Sequence, residues 1–139
     1  MLALALVSVV GVGGCYDSHR LIERARNAAI RARSEEVSLG YFRTCLPRDV
    51  NLGAPMEVEI ELFVTTKRYR IPEIKQRIKS EMPRLRQGLL FAIRQTTAEE
   101  IADPRLTKLR ERMWLVTKEV FVDPPIDSLG IRQVRFIPL

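Results

Sequence analysis

Three glutamates at alternate positions, Glu57, Glu59 and Glu61, are the residues whose spacing comes nearest to a chemical site. Alternate side chains of a β-strand share a face. Their Cα atoms lie about 6.5–7 Å apart, close enough for neighbouring carboxylates to share a hard cation. Acid–base catalysis asks for more. It needs carboxyl groups in unequal environments, so that one holds a proton while the other stays ionised. These three are equivalent by pattern, and no His or Asp cluster converges on them by spacing. The row therefore reads as a solvated strand face that also discourages edge pairing.

The remaining candidates are Cys15, His19 and Cys45. A single histidine excludes a multi-His zinc site, and two cysteines are too few for a disulfide framework. A mixed site would need all three residues together. Cys45 stands in a β-favouring run and reads as buried and inert, and His19 reads as a surface residue. No serine is framed as a nucleophile elbow. Gly11, Gly13 and Gly14 fall inside an apolar leader rather than in a phosphate-cradling loop. The chain thus reads as a non-enzyme, with no catalytic residue, cofactor or metal.

The elements that would carry these residues follow from periodicity. Met1 to Cys15 is uninterrupted apolar sequence, shorter than the roughly 20 residues of a spanning helix. It has the length of a signal-peptide core but no preceding Lys or Arg. Val12-Gly13-Gly14-Cys15 resembles a bacterial lipobox, which would make Cys15 a lipidation site. Each reading puts residues 1–16 at a membrane, as anchor or leader; the alternative is a buried element of a soluble fold. Residues 17–37 then read as a helical linker. Ser18 is its cap, and Leu21, Ala25, Ala28, Ala29 and Ala32 form a narrow apolar stripe. Such a helix suits a solvated stalk, or a helix lying on anionic lipid through its arginines.

Residues 38–139 read as the folded domain. Leu39 to Leu46 is a strand. Met56 to Val64 alternates strictly, with Met56, Val58, Ile60, Leu62 and Val64 inward. From Ile71 the period becomes helical, with Ile74, Ile78, Leu85, Leu89 and Ile93 on the apolar stripe. Lys75, Arg77, Lys79, Arg84, Arg86 and Arg94 are expected on the opposite face. Pro83 either kinks this helix or starts a second one. Thr97 with Glu100 makes a capping box, and Asp103-Pro104 is expected to start a last helix whose apolar residues include Leu109, Met113 and Val120. A final β segment runs from Ile131. With helices between the second and third strands, a right-handed crossover predicts a small α+β domain: a mixed sheet with helices on one face.

Apolar residues make up 46% of the 139, enough for a packed core, and the formal charge of +6 favours acidic partners. Nucleic acid is one such partner. Against it stand the apolar amino end, an aromatic content of only 6%, and the lack of a helix-turn-helix turn or zinc spacing. An exported lipoprotein of unrelated role is another alternative.

Pro83-Arg84-Leu85-Arg86, Thr97-Ala98-Glu99-Glu100-Ile101, Pro104 and Leu109-Arg110 together resemble the flagellar basal-body-associated FliL family. A looser echo is Val50-Asn51-Leu52. The likeness spans Val50 to Leu139, with its specific part between Pro83 and Arg110. Gln87 stands where many members carry Asp, and Leu106-Thr107 where many carry Gly. The resemblance implies a single-pass protein of the bacterial inner membrane with a periplasmic, stomatin/prohibitin-like domain. Such a domain assembles around flagellar stator units and supports their torque. Within that frame, the basic residues Lys75, Arg77, Lys79, Arg84 and Arg86 and the acidic row Glu57, Glu59 and Glu61 are candidate contact surfaces. Neighbouring subunits could meet basic face to acidic face and close into a ring.

Overall fold

The computed structural model describes residues 18–48 and 53–139. The leader, the lipidation candidate Cys15 and the Val50-Asn51-Leu52 echo lie outside them. Helix α1 (Ser18–Ala32) leads through Arg33 alone into strand β1 (Ser34–Cys45), followed by β2 (Met56–Lys67). A single 3-10 turn (Arg68–Arg70) opens the long helix α2 (Ile71–Arg94). Short α3 (Ala98–Ala102), then α4 (Thr107–Val120) and β3 (Ser128–Pro138) complete the chain. Among the described residues, no helix is long and apolar enough to cross a membrane.

The sheet has the order β1-β2-β3 and is antiparallel throughout. The expected mixed sheet is therefore corrected. One helix between two strands makes them parallel, but here two long helices intervene. Gly88 of α2 packs on Val116 of α4, and Arg112 of α4 reaches the carbonyl of Ala92, so these helices run antiparallel. The second pass undoes the crossover, and β3 returns antiparallel beside β2.

Burial along β2 alternates as its sequence predicts: Val58, Ile60, Leu62 and Val64 are buried, and Phe63 and Thr65 are half-exposed. Each edge strand carries a bulge opposite the same stretch of β2. In β1 the extra residue lies between Ser38 and Gly40, and Gly40 takes φ +101°, a conformation glycine adopts without a Cβ clash. The inward set accordingly changes phase, from Val37 and Leu39 to Phe42, Thr44 and Leu46. In β3 the bulge shifts the inward set from Leu129 and Ile131 to Val134 and Phe136.

The helices close one face of this sheet. Ile74, Leu85, Leu89, Ala92 and Ile93 of α2 and Leu109, Met113 and Val120 of α4 join the inward strand residues in one core. A fully buried Leu such as Leu89 contributes about 1.5–3 kcal/mol through lost apolar exposure. Pro83 does not end α2, which continues through it. Pro83 and Lys79, the residue whose carbonyl it leaves without a helical donor, are both exposed, so water can serve that carbonyl.

The Thr97 capping box forms as predicted. Thr97 Oγ1 accepts from Glu100 N, and the Glu100 carboxylate accepts from Thr97 N. The Asp103 start differs from expectation. Its carboxylate accepts from Arg105 N and Thr107 N, both at 2.9 Å, so Asp103 does cap, but the helix begins only at Thr107. The intervening turn holds Leu106 at φ 50°, ψ 41°. A left-handed leucine costs of order 1–3 kcal/mol, offset here by its burial in the core.

Candidate interaction surfaces

The outer face of the sheet is where the three glutamates sit. Strand pairing sets Arg43 opposite Glu59 on one side and Arg135 opposite it on the other. Arg43 Nη2 donates to Glu57 Oε2 at 3.0 Å, and its Nε lies 3.7 Å from Glu59. Arg135 lies 4.0 Å from Glu59. Arg132, the bulge residue of β3, spreads its guanidinium between Glu61 and Glu36, at 2.9 Å to each. The row is thus an ion-paired ladder rather than an open acidic face, and Glu57 is buried at 8% exposure. The sequence showed the glutamates but not their partners. Arg43, Arg132 and Arg135 are brought in by pairing register, which no single strand's pattern carries. Guanidinium groups occupy the space a cation would need. Among the described residues, no group of three or more His, Cys, Asp or Glu is arranged to hold a metal ion.

Phe63 closes the far end of this face. Its ring covers Gly130 so closely that a Cβ there would lie 2.1 Å from the ring carbon Cζ. The Arg132 guanidinium stands 5.4 Å above the ring centroid. The half-buried glycine of an edge strand is thereby covered by an aromatic neighbour.

The basic residues of α2 do not share one face, contrary to expectation. At 3.6 residues per turn, Lys75, Lys79 and Arg86 fall on one flank and Arg77 and Arg84 on the other. The contacts agree. Arg86 lies over the Phe42 ring of β1 at 5.8 Å, and Arg94 donates to Thr44 of β1. Arg77 donates to the carbonyl of Asp123, and Arg84 shares a shallow cleft with Phe91, Val116 and Glu119. The helix therefore shows a basic flank toward β1 and a mixed basic and apolar flank toward α4. On the latter, Phe91 is 65% exposed and Leu115 of α4 is 62% exposed. Both fall outside the apolar stripes read from the sequence, which is the signal that marks them as outward.

The Thr-Ala-Glu-Glu stretch has a partner that sequence spacing did not show. Glu100 receives both terminal nitrogens of Arg112, at 2.8 and 2.6 Å, and the same guanidinium reaches the carbonyl of Ala92. One side chain thus ties the end of α2, the cap of α3 and the body of α4. The arginine hydrogen bonds hold the Glu100 carboxyl below the usual carboxylate range, against the opposing effect of burial. Glu100 correspondingly strengthens the hold of Arg112 on its proton. Asp103 is also held low, by the amides of Thr107 and Arg105.

Cys45 is exposed on the outer sheet face, not buried as its strand context suggested, because the β1 bulge turns Thr44 and Leu46 inward instead. His19 sits 3.8 Å from Glu23 on the exposed surface of α1. Together these features define a small α+β domain: a three-stranded antiparallel sheet, helices packed on one face, and an ion-pair ladder on the other. No protein-family model matches the chain, and no curated protein matches it in sequence.

Proposed function

We propose that this protein is a membrane-attached, non-catalytic structural protein that works by touching other proteins. In this reading it is a divergent relative of the FliL family, serving beside flagellar stator units at the bacterial inner membrane. Its stomatin/prohibitin-like domain faces the periplasm. The observation that carries the reading is what the family-like stretch does in the fold. Its Thr97 and Glu100 cap α3, and Glu100 clamps Arg112. The motif residues fix a helical layer and none is spent on a reacting group. That layer then presents Phe91, Leu115 and the Lys75/Lys79/Arg86 flank outward.

Subunits associate into a ring through the basic flank of α2. The glutamate row can oppose it only by trading its own arginines, which are the exposed halves of its pairs, for Lys75, Lys79 and Arg86 of a neighbour. Lipid attachment at Cys15 is the competing mode of membrane attachment, and Cys15→Ser separates it from a peptide anchor.

The test is a clean deletion in the native host, with a photo-crosslinking residue placed at Phe91 in the full-length chain. Crosslinks to stator proteins or to neighbouring copies, with reduced torque in the deletion, are expected. Lys75→Glu with Lys79→Glu and Arg86→Glu should lower self-association. Unaltered torque in the deletion, or turnover of a substrate by the purified chain, overturns the proposal.

A further inference from the structure

Helix α1 is amphipathic, yet it is turned the wrong way round for a helix packed on its own domain. Leu21, Ala25, Ala28 and Ala32 form a stripe at intervals of three and four residues, widened by Ile22 and Ala29. A stripe of this kind ordinarily faces the core. Here no residue of α1 is buried, and Leu21 and Ile22 are 42% and 68% exposed. The side that meets the domain is mostly polar, and its one apolar residue, Ile30, is itself 42% exposed. Asn27, Ile30 and Arg31, on the opposite side of the helix, share a shallow cleft with Arg68 and Tyr69. The helix is fixed in that pose at its end. Arg33 is its only link to β1, and the Arg33 carbonyl accepts from Arg68 N at 2.9 Å. The apolar stripe therefore points away from the domain and needs a different cover.

We propose that this cover is an anionic phospholipid surface, with α1 lying in the plane of the bilayer rather than standing off it as a stalk. Two observations select lipid over a second copy. The first is charge: α1 carries four arginines against the single Glu23, and Arg24 and Arg26 flank the apolar stripe on its two sides. Arginines in those positions bury their stems beside the stripe while their guanidinium groups meet phosphates. Two copies meeting stripe to stripe would instead bring these flanking charges together. The second is continuity: the apolar run from Met1 to Cys15 leads into α1 across Tyr16 and Asp17. The consequence is geometric. A standing α1 would hold the domain about 22 Å from the surface, at about 1.5 Å per residue. A helix lying flat seats the domain directly above the headgroups.

The inference rests on the membrane attachment proposed above, so the experiment reads attachment and helix pose separately. Full-length protein carrying Cys15→Ser and Cys45→Ser receives one new cysteine, by Ala25→Cys, Ala29→Cys or Asn27→Cys, labelled with an environment-sensitive fluorophore. Flotation with vesicles reports attachment. The emission of the label, and its quenching by spin-labelled lipid, report pose. In vesicles of phosphatidylcholine with phosphatidylglycerol, labels at 25 and 29 should shift to the blue and be quenched, and the label at 27 should not. Arg24→Glu with Arg26→Glu should return the first two to water-like emission. Floating protein with water-like labels at 25 and 29 overturns the flat pose and leaves attachment standing. A blue shift that persists in pure phosphatidylcholine and grows with protein concentration assigns the stripe to a second copy and also overturns it. Protein that does not float, when the chain that keeps Cys15 does not float either, overturns attachment itself.

Discussion

Glu100 and the Glu57–Glu59–Glu61 row are both held by arginines, but in different settings. At the helix junction one carboxylate takes two bonds from one guanidinium, and the pair is mostly enclosed, with side-chain exposures of 9% for Glu100 and 25% for Arg112. On the outer sheet face the carboxylates of the row are also mostly enclosed, at 10–21%, but their arginines are exposed by 47–66% and several contacts are shared. Proximity of opposite charges is common to both. What differs is how much water can replace a lost partner. A carboxylate whose arginine is itself enclosed keeps its desolvation cost when deprived of it, whereas one whose arginine stands in solvent admits water to the vacated place. The junction should therefore be sensitive to every substitution, and the ladder to very few.

The largest effect is expected at the junction. Arg112→Ala leaves Glu100 without its bidentate partner and frees the last turn of α2, and should cost about 2–3 kcal/mol in urea unfolding. That figure sits below the cost for a fully buried pair, because Arg112 is one quarter exposed. Glu100→Gln combined with Arg112→Met removes both charges, retains a cap for α3, and should recover much of the loss. Equal losses in the single and double variants would show that the helix contact, not the stranded charge, sets the cost.

Acid should weaken the junction in a definite window. The folded Glu100 pKa lies below the ordinary 4.5, so the folded state resists protonation there more than the unfolded chain does. Its contribution is complete above the unfolded value and is lost as pH falls through the depressed folded one. Asp103 shifts in the same direction through its helix-start amides and loses its contribution in the same manner. The difference in melting temperature between the natural chain and Glu100→Gln should be constant at neutral pH and shrink on acidification below the ordinary value. A difference that grows on acidification would reverse the assignment.

The two regions also differ in how far their sequence announced them. The Thr97–Glu100 box was legible because its partners are three residues apart, and local spacing is what a sequence displays. The same holds for the alternation of β2 and the apolar stripe of α2. Arg112 was not legible as the partner of Glu100, because the pairing depends on α4 running antiparallel to α2. The ladder was misread for the same reason: three glutamates on one strand look acidic until register places Arg43, Arg132 and Arg135 beside them. Cys45 was placed on the wrong side because a bulge changes the phase of β1, and one extra residue inverts every inward assignment after it. The sheet direction failed on a count of helices. Pro83 suggested a break that would have grouped the helical segments differently, whereas two uninterrupted long helices return β3 antiparallel.

Within the ladder, the same burial rule separates its members. Glu57 is its one buried carboxylate, and Arg43 is the arginine in contact with it. Arg43→Ala should therefore cost about 1–2 kcal/mol, less than the junction and more than any other rung. If the cost instead tracks the number of ion pairs removed, Arg132, which reaches two glutamates, should outrank Arg43. Comparing the unfolding midpoints of these two variants separates burial from pair counting.

Arg135→Gln should have the smallest effect, about 0.5 kcal/mol or less. Arg135 is 59% exposed and stands 4.0 Å from a glutamate that also has Arg43 beside it. Removing it leaves Glu59 with a cation on one side and water on the other, and glutamine keeps the side-chain length on an edge strand. Added salt should narrow even this difference, because an exposed pair is screened. At the junction the cost of Arg112→Ala should persist in the same salt. A comparable salt response at both places would mean that Arg112 sees as much solvent as Arg135 does, and the contrast between an enclosed clamp and an open ladder would fail.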